Sequence, residues 1–217
     1  MEAQGDEFTT TPDFIDYVRA QLPPAPARVL EVGCGEEGGV APALAAAGYE
    51  VLAIDPHAPE GQLYRRVSLE ALDDPGLFDA AVAGRVLHHV DPLGPALDKL
   101  VRLARLLVVD EFACNHIDDA AREWYAHQYA LVAAAGPPPE APADLDAWRA
   151  AHPHLHPYET VRSELDARYE TRDFRWLPYF YRWLRAPGIE PLEERMIETG
   201  SIPPIGFRYV GVAKSRP

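Results

Sequence analysis

Apolar and polar positions along this chain follow two periods in turn, and glycine or proline marks most of the boundaries between them. Thr11 and Pro12 have the pattern of a helix N-cap and first helical residue; Ile15, Val18 and Leu22 then share one face until Pro23, Pro24 and Pro26 end the run. Residues 1–11 show no period and are expected to be frayed. Arg28–Val32 is short and apolar, as a buried strand should be. A helix is expected over Gly39–Ala47, with Val40, Leu44 and Ala47 at helical spacing and Gly48 as its stop. Tyr49–Ile54 predicts a second strand ending in Asp55–Pro56, Arg66–Ser68 a short third, and Phe78–Ala83 a fourth. Asp91 and Pro92 open a helix carrying Leu93, Leu97, Leu100 and Ala104 on one side, and Leu106–Asp110 predicts a fifth strand. Strands alternating with helices at this rhythm predict a doubly wound, parallel α/β sheet.

The pattern changes after Glu111. Asp118 or Asp119 can cap a helix bearing Trp124, Tyr125, Gln128, Tyr129 and Leu131, and a proline-rich loop, 136–142, follows it. Helices are expected over 144–151 and 158–167, with His152, His154 and His156 between them. Tyr169–Trp176 alternates like a strand and runs into an aromatic cluster that includes Tyr179, Phe180 and Trp183. Pro191–Thr199 is expected to be a short helix ended by Gly200, and Phe207–Ala213 a last strand.

Composition narrows the partners. A formal charge of −14 on 217 residues argues against nucleic acid, which needs a clustered positive surface, and the only lysines are Lys99 and Lys214. Neither Cys34 nor Cys114 sits in a zinc or disulfide spacing. The N-terminus has no basic and apolar leader pattern, and no apolar run approaches the ~18 residues of a membrane span. The expectation is one cytoplasmic domain over 1–217, monomer or homodimer, acting on a small molecule.

The chemistry centres on Glu31–Val32–Gly33–Cys34–Gly35–Glu36–Glu37–Gly38–Gly39, an acidic strand end running into a glycine-rich turn. Taken literally, Gly33-x-Gly35-x-x-Gly38 is a dinucleotide fingerprint, with Asp55 where a ribose-binding acid belongs. Glu31, Glu36 and Glu37 argue against a pyrophosphate, which carboxylates repel, and no second mononucleotide half is visible.

These residues resemble the class I S-adenosylmethionine-dependent methyltransferases of the small-molecule, bacterial type. The resemblance rests on Glu31–Gly35 after the first strand, Asp55 after the second, Phe78–Asp79 leading to Leu87–His88–His89–Val90, and Leu106–Asp110; it covers residues 28–112, and the last strand suits the family's antiparallel seventh. It implies a seven-stranded, mostly parallel Rossmann-like sheet with an antiparallel last strand and a helical substrate cap, 112–167, inserted after the fifth strand. It implies a cofactor site of Glu31, Gly33, Cys34, Gly35, Asp55, Pro56, Ser68, Leu69, Gly84 and Arg85. The acid before the glycines would line the methionine half, Asp55 would take the ribose hydroxyls, and Ser68 and Leu69 would flank the adenine. Carboxylates suit a cofactor that carries a sulfonium and an ammonium. The chain departs from the family where Glu37 replaces the third glycine, where Arg102–Arg105 replaces a Pro-Gly-Gly turn, and where Ser68 replaces an aspartate.

Methyl transfer requires the acceptor to be aligned and relieved of a proton. His88, His89 and His116 are the candidate bases, weighed against histidines that only brace a loop. Asp110 and Glu111 are either helix-capping or solvated charge, or groups that orient or deprotonate the acceptor. Trp124, Tyr125, Tyr129 and Tyr179, with Glu111, are candidates for the acceptor pocket, weighed against core packing. No metal is expected, because Gly84–Arg85 stands where a catechol-type enzyme needs a carboxylate. The implied activity is methyl transfer to oxygen, nitrogen or carbon of an aromatic or apolar metabolite, leaving S-adenosylhomocysteine. A cofactor-binding domain without transfer and a nicotinamide oxidoreductase are the alternatives. The arginine- and alanine-rich composition suits a bacterial enzyme of secondary metabolism.

Overall fold

The structure, a computed structural model, describes residues 12–73 and 75–215; the expected cap at Thr11 and the expected fraying of 1–11 lie outside these. In chain order the elements begin α1 (Pro12–Gln21), β1 (Arg28–Val32), α2 (Ala41–Ala46), β2 (Glu50–Ile54), β3 (Tyr64–Arg65), β4 (Phe78–Gly84), α3 (Leu93–Leu103) and β5 (Ala104–Phe112). Then come α4 (Asp119–Ala135), α5 (Leu145–Ala151), α6 (Tyr158–Arg168), β6 (Tyr169–Leu177), α7 (Phe180–Leu184), α8 (Ile189–Glu198) and β7 (Gly206–Ala213). Single 3-10 turns lie at Leu87–His89 and Cys114–His116.

The seven strands form one sheet in the order β3-β2-β1-β4-β5-β7-β6, mostly parallel with an antiparallel end, the arrangement that the resemblance implied. Val32 pairs with Ile54 of β2 and Ala83 of β4, and Gly84 pairs with Asp110 of β5. Ligand-binding loops in such sheets follow the carboxyl ends of the parallel strands, and the order reverses at β1 and β4. The central strands are buried apolar runs rather than alternating ones, as expected when helices cover both faces.

The chain divides into two compact units. The first comprises Met1–Glu111, Val161–Phe174 and Arg208–Pro217; the second comprises Phe112–Thr160 and Arg175–Phe207. In the first, Phe14 and Val18 of α1, with Leu22 just past its end, pack with Val29, Leu44, Val82 and Val108. Leu93, Leu97 and Leu100 of α3 are buried as their spacing requires, each contributing about 1.5–3 kcal/mol. In the second, Phe112, Trp124, Tyr125, Tyr179, Phe180 and Trp183 form an aromatic interior.

Four local expectations are corrected. The third strand is Tyr64–Arg65, set by pairing with Ala53 and Ile54, whereas Ser68 lies past its end and its hydroxyl accepts from Ala71 N–H (3.4 Å). The helix expected from Gly39 starts at Ala41, since Gly38 and Gly39 have φ of +85° and +58°, outside the right-handed helical region. The last helix begins at Ile189, ahead of Pro191, which the first turn tolerates because its missing N–H has no helical partner there. Finally, α7 was not foreseen; none of its own side chains caps it. Its leading amides instead donate to Glu193 of α8: Tyr179 and Phe180 to Oε1 (2.7 and 3.0 Å) and Tyr181 to Oε2 (2.9 Å).

Candidate cofactor and catalytic site

The glycine turn in the first unit is shaped by what each glycine must avoid. Gly33 (φ +79°) donates its N–H to Ile54 O (2.9 Å), and a Cβ there would sit 2.5 Å from Val86 Cβ. A Cβ on Gly38 would lie 2.4 Å from the Tyr64 hydroxyl, and one on Gly39 would overlap a Glu31 carboxylate oxygen. The third glycine of the literal dinucleotide spacing therefore makes room for a tyrosine.

Glu31 and Asp55 meet this turn from neighbouring strand ends. Asp55 accepts from Gly35 N–H on Oδ2 (3.1 Å) and from His57 N–H on Oδ1 (2.7 Å), so each oxygen retains lone-pair capacity for another donor. Glu31, 2% exposed, accepts from Val40 N–H on Oε1 (2.7 Å), while its buried Oε2 has no hydrogen-bond partner. Burial pushes the Glu31 carboxyl up to about 8 against the opposing pull of the Val40 and Ala41 amides. Burial, then Glu31 and Asp55, hold the Cys34 thiol up at about 12, so Cys34 is an inert thiol and not a nucleophile. Tyr64 is raised as well, by burial first and then by Cys34 and Glu31.

The loop after β4 lies at the other side of Gly33. Arg85 adopts a left-handed φ of +52° and donates its N–H to Asp110 O (2.6 Å), which aims the following residues. Glu111, fully buried at the end of β5, accepts from Leu87 N–H on Oε1 (2.6 Å) and bonds His88 Nδ1 through Oε2 (2.5 Å). His88 is buried and His89 exposed, with ring centroids 4.1 Å apart. The His88–Glu111 pair was not legible, because its partners are 23 residues apart on different strand ends. Asp110 itself faces Arg208 of β7 at 3.7 Å, and Arg208 also bonds Asp13 of α1 (2.6 Å).

The remaining sequence candidates sit as follows. Pro56 joins Glu36, His57, Pro59 and Arg66 around an open cavity of about 340 Å³. Leu69 is buried, and Ser68 serves the turn described above. In the second unit His116 pairs with Glu159 (3.3 Å) and lies against Tyr158 and Trp176. Trp124, Tyr125 and Tyr179 are buried among aromatic rings: Tyr125 against Phe180 at 4.7 Å, Tyr179 stacked on Phe112 at 4.3 Å. Tyr129 is half-buried. The structure thus gathers Glu31, the glycine turn and Asp55 into one cluster and His88, Glu111, Gly84 and Arg85 into a second, joined where Gly33 meets Val86. Among the described residues no three His, Cys, Asp or Glu side chains gather as a metal-binding group, and no helix is long and apolar enough to cross a membrane.

Known proteins resemble this chain in sequence and fold. A family model described as a methyltransferase domain matches residues 5–178. The chain is 40% identical over 95 residues to a ubiquinone biosynthesis O-methyltransferase of Xanthomonas campestris, a match covering 36% of this chain; the chain spans only 39% of that relative's length. A solved S-adenosylmethionine-dependent methyltransferase from Mesorhizobium loti superposes with a TM-score of 0.56 at 16% identity, over 92% of this chain and 96% of the other. The 1,6-didemethyltoxoflavin-N1-methyltransferase of Burkholderia thailandensis, solved with its substrate and S-adenosylhomocysteine, gives 0.55 at 17% identity over 94% and 76%. The chain belongs to the methyltransferase domain family.

Proposed function

We propose that the chain transfers the methyl group of S-adenosylmethionine to a small aromatic or otherwise apolar metabolite. The observation that carries this is Asp55, which ties the end of β2 to Gly35 of the turn and still has acceptor capacity on both oxygens. The residues fit the cofactor. Asp55 would accept from ribose hydroxyls, the orphaned Glu31 Oε2 suits a cationic amino-acid end, and the cavity around Pro56 and His57 follows Asp55 directly in the chain. Bound there, the cofactor supplies a sulfonium-activated methyl group.

The chain's own contribution is then positioning and proton removal. Glu111 orients His88 by fixing Nδ1 and also holds the amide of the preceding residue, so the imidazole is preorganised. His88 is the proposed general base. Its Glu111 bond favours the tautomer with the proton on Nδ1, leaving Nε2 the basic nitrogen. His89 and His116 are the other candidates. An O-acceptor is favoured by the 40% identical relative. Segment 112–167, with Trp124, Tyr125, Tyr129 and Tyr179, is proposed to select the acceptor.

Calorimetric titration with S-adenosylmethionine, S-adenosylhomocysteine and NAD tests the reading, alongside a metabolite screen for the gain of one methyl by mass spectrometry. Both adenosyl compounds should bind, and Asp55→Ala should weaken them by roughly a hundredfold, two charge-assisted hydrogen bonds being worth about 1.5–3 kcal/mol each before water replaces part of them. Binding of NAD alone, or unaltered affinity in Asp55→Ala, would sink it.

A further inference from the structure

The unpartnered oxygen of Glu31 has a consequence for how the cofactor is captured. The side chain is 2% exposed; Oε1 is satisfied by the Val40 amide and Oε2 is buried without a hydrogen bond. The titratable groups around it are Cys34 in the glycine turn, Asp55 at the end of β2 and Tyr64 on β3, none of which can supply positive charge. His57, the nearest imidazole in the cluster, lies beyond Asp55 at 3.6 Å. From the other packed elements Glu31 meets Ala53 of β2 and Val82 of β4 in register, and the backbone ahead of α2. A carboxylate enclosed in this way without a counter-charge takes up a proton rather than stay ionised.

We propose that Glu31 is protonated in the cofactor-free protein and releases that proton when the cationic amino-acid end of S-adenosylmethionine docks against it, so that cofactor capture is proton-linked. The inference rests on the cofactor reading above. The proton leaves Oε2 for solvent, and the cofactor's ammonium supplies the hydrogen bond and positive charge that Oε2 lacks. The burial-raised carboxyl, at about 8, agrees with a neutral side chain at pH 7. Glu31 thereby acts as a charge selector: a ligand with no cation at that position leaves the acid neutral and gains nothing from it.

The test is calorimetry of the full chain with S-adenosylmethionine at pH 7 in phosphate and in Tris, two buffers of different ionisation heat. It is paired with affinities from pH 6 to 7, below the ~7.7–8.0 range of an α-amino group. Wild type should release close to one proton per cofactor bound and gain affinity nearly tenfold over that pH unit. Glu31→Gln should release none and show a flat profile. Binding without buffer dependence in wild type, or unchanged proton release in Glu31→Gln, overturns the inference alone. Absence of any binding by wild type overturns the cofactor reading and the inference with it. Should Glu31→Gln fail to fold, difference infrared spectroscopy of wild type decides: a protonated-carboxyl band must disappear on adding cofactor, and its persistence refutes the proposal.

Discussion

Glu193 is the clasp of the second unit, and removing it gives a prediction whose size follows from its bonds. The side chain, 1% exposed in the middle of α8, accepts from the amides of Tyr179, Phe180 and Tyr181 at the start of α7. Glu193→Ala leaves three amides without an acceptor, two of them buried. At about 1–2 kcal/mol for each buried orphan and less for the half-buried Tyr181, the loss is about 3 kcal/mol. For a chain of this length that corresponds to a fall in Tm of roughly 6–12 °C. All four tryptophans, at positions 124, 148, 176 and 183, lie in the second unit, so urea unfolding followed by tryptophan emission at pH 6 reads that unit directly. Titration adds a second signature. Burial raises the carboxyl from 4.5 to about 7, so the folded unit binds the proton more tightly than the unfolded chain. That stability is fully present below pH 4.5 and is lost as pH rises through about 7, a change of about 3 kcal/mol. Glu193→Gln, neutral throughout, should flatten this slope. A Glu193→Ala transition within about 0.5 kcal/mol of wild type, the range of an ordinary surface change, would refute the clasp, and an unchanged slope in Glu193→Gln would refute the titration argument.

Other expectations concern the first unit. Gly39→Ala must displace the Glu31 carboxylate and hold a side chain at φ +58°; a loss of about 2–3 kcal/mol is expected by far-ultraviolet dichroism, together with loss of cofactor binding by calorimetry. Glu111→Gln should lower kcat roughly ten- to a hundredfold with a smaller effect on KM, and His88→Ala should lower it at least as much; parity of both variants with wild type in the acceptor assay would remove His88 as base. Without cofactor, Glu31 contributes stability that is full below pH 4.5 and lost as pH rises through about 8, so the dichroism-detected Tm should fall across that window and fall less in Glu31→Gln. Arg208→Leu removes the cation facing buried Asp110 and should cost about 3 kcal/mol or more, whereas Asp13→Asn, at an exposed partner, should cost under about 1 kcal/mol by urea titration.

How much could be read from residues alone varies with how local each cause is. Arg28–Val32 and Phe78–Ala83, which the fold extends by one residue to Gly84, were plain because an apolar run bounded by turn residues is a short-range signal. The cap of α4 was legible to within two residues, Asp118 or Asp119, and it is Asp118, its carboxylate accepting from Ala121 N–H (2.8 Å) three residues on. The position of β3 was missed by two residues because its register is decided by the edge of β2 and not by its own composition. The α7 helix was invisible because its cap, Glu193, arrives from the next helix. In the site, the acid and glycines signalled a cofactor, but Gly38 facing Tyr64 and His88 facing Glu111 are pairings that only the folded sheet creates.

Val86 leaves no room for a side chain on Gly33, where a Cβ would lie 2.5 Å from its own, and the two come from different loops, the glycine turn and the histidine loop. Retuning either loop is therefore a joint problem. A variant library that diversifies residues 85–89 for new acceptors will also disturb the seat of Gly33, and with it the Ile54 contact that holds the turn. Selection for a changed acceptor will accumulate compensating changes near residues 33–35, or will keep position 86 small and branched while its neighbours vary. Directed evolution on this scaffold is best begun elsewhere, with Val86 left untouched.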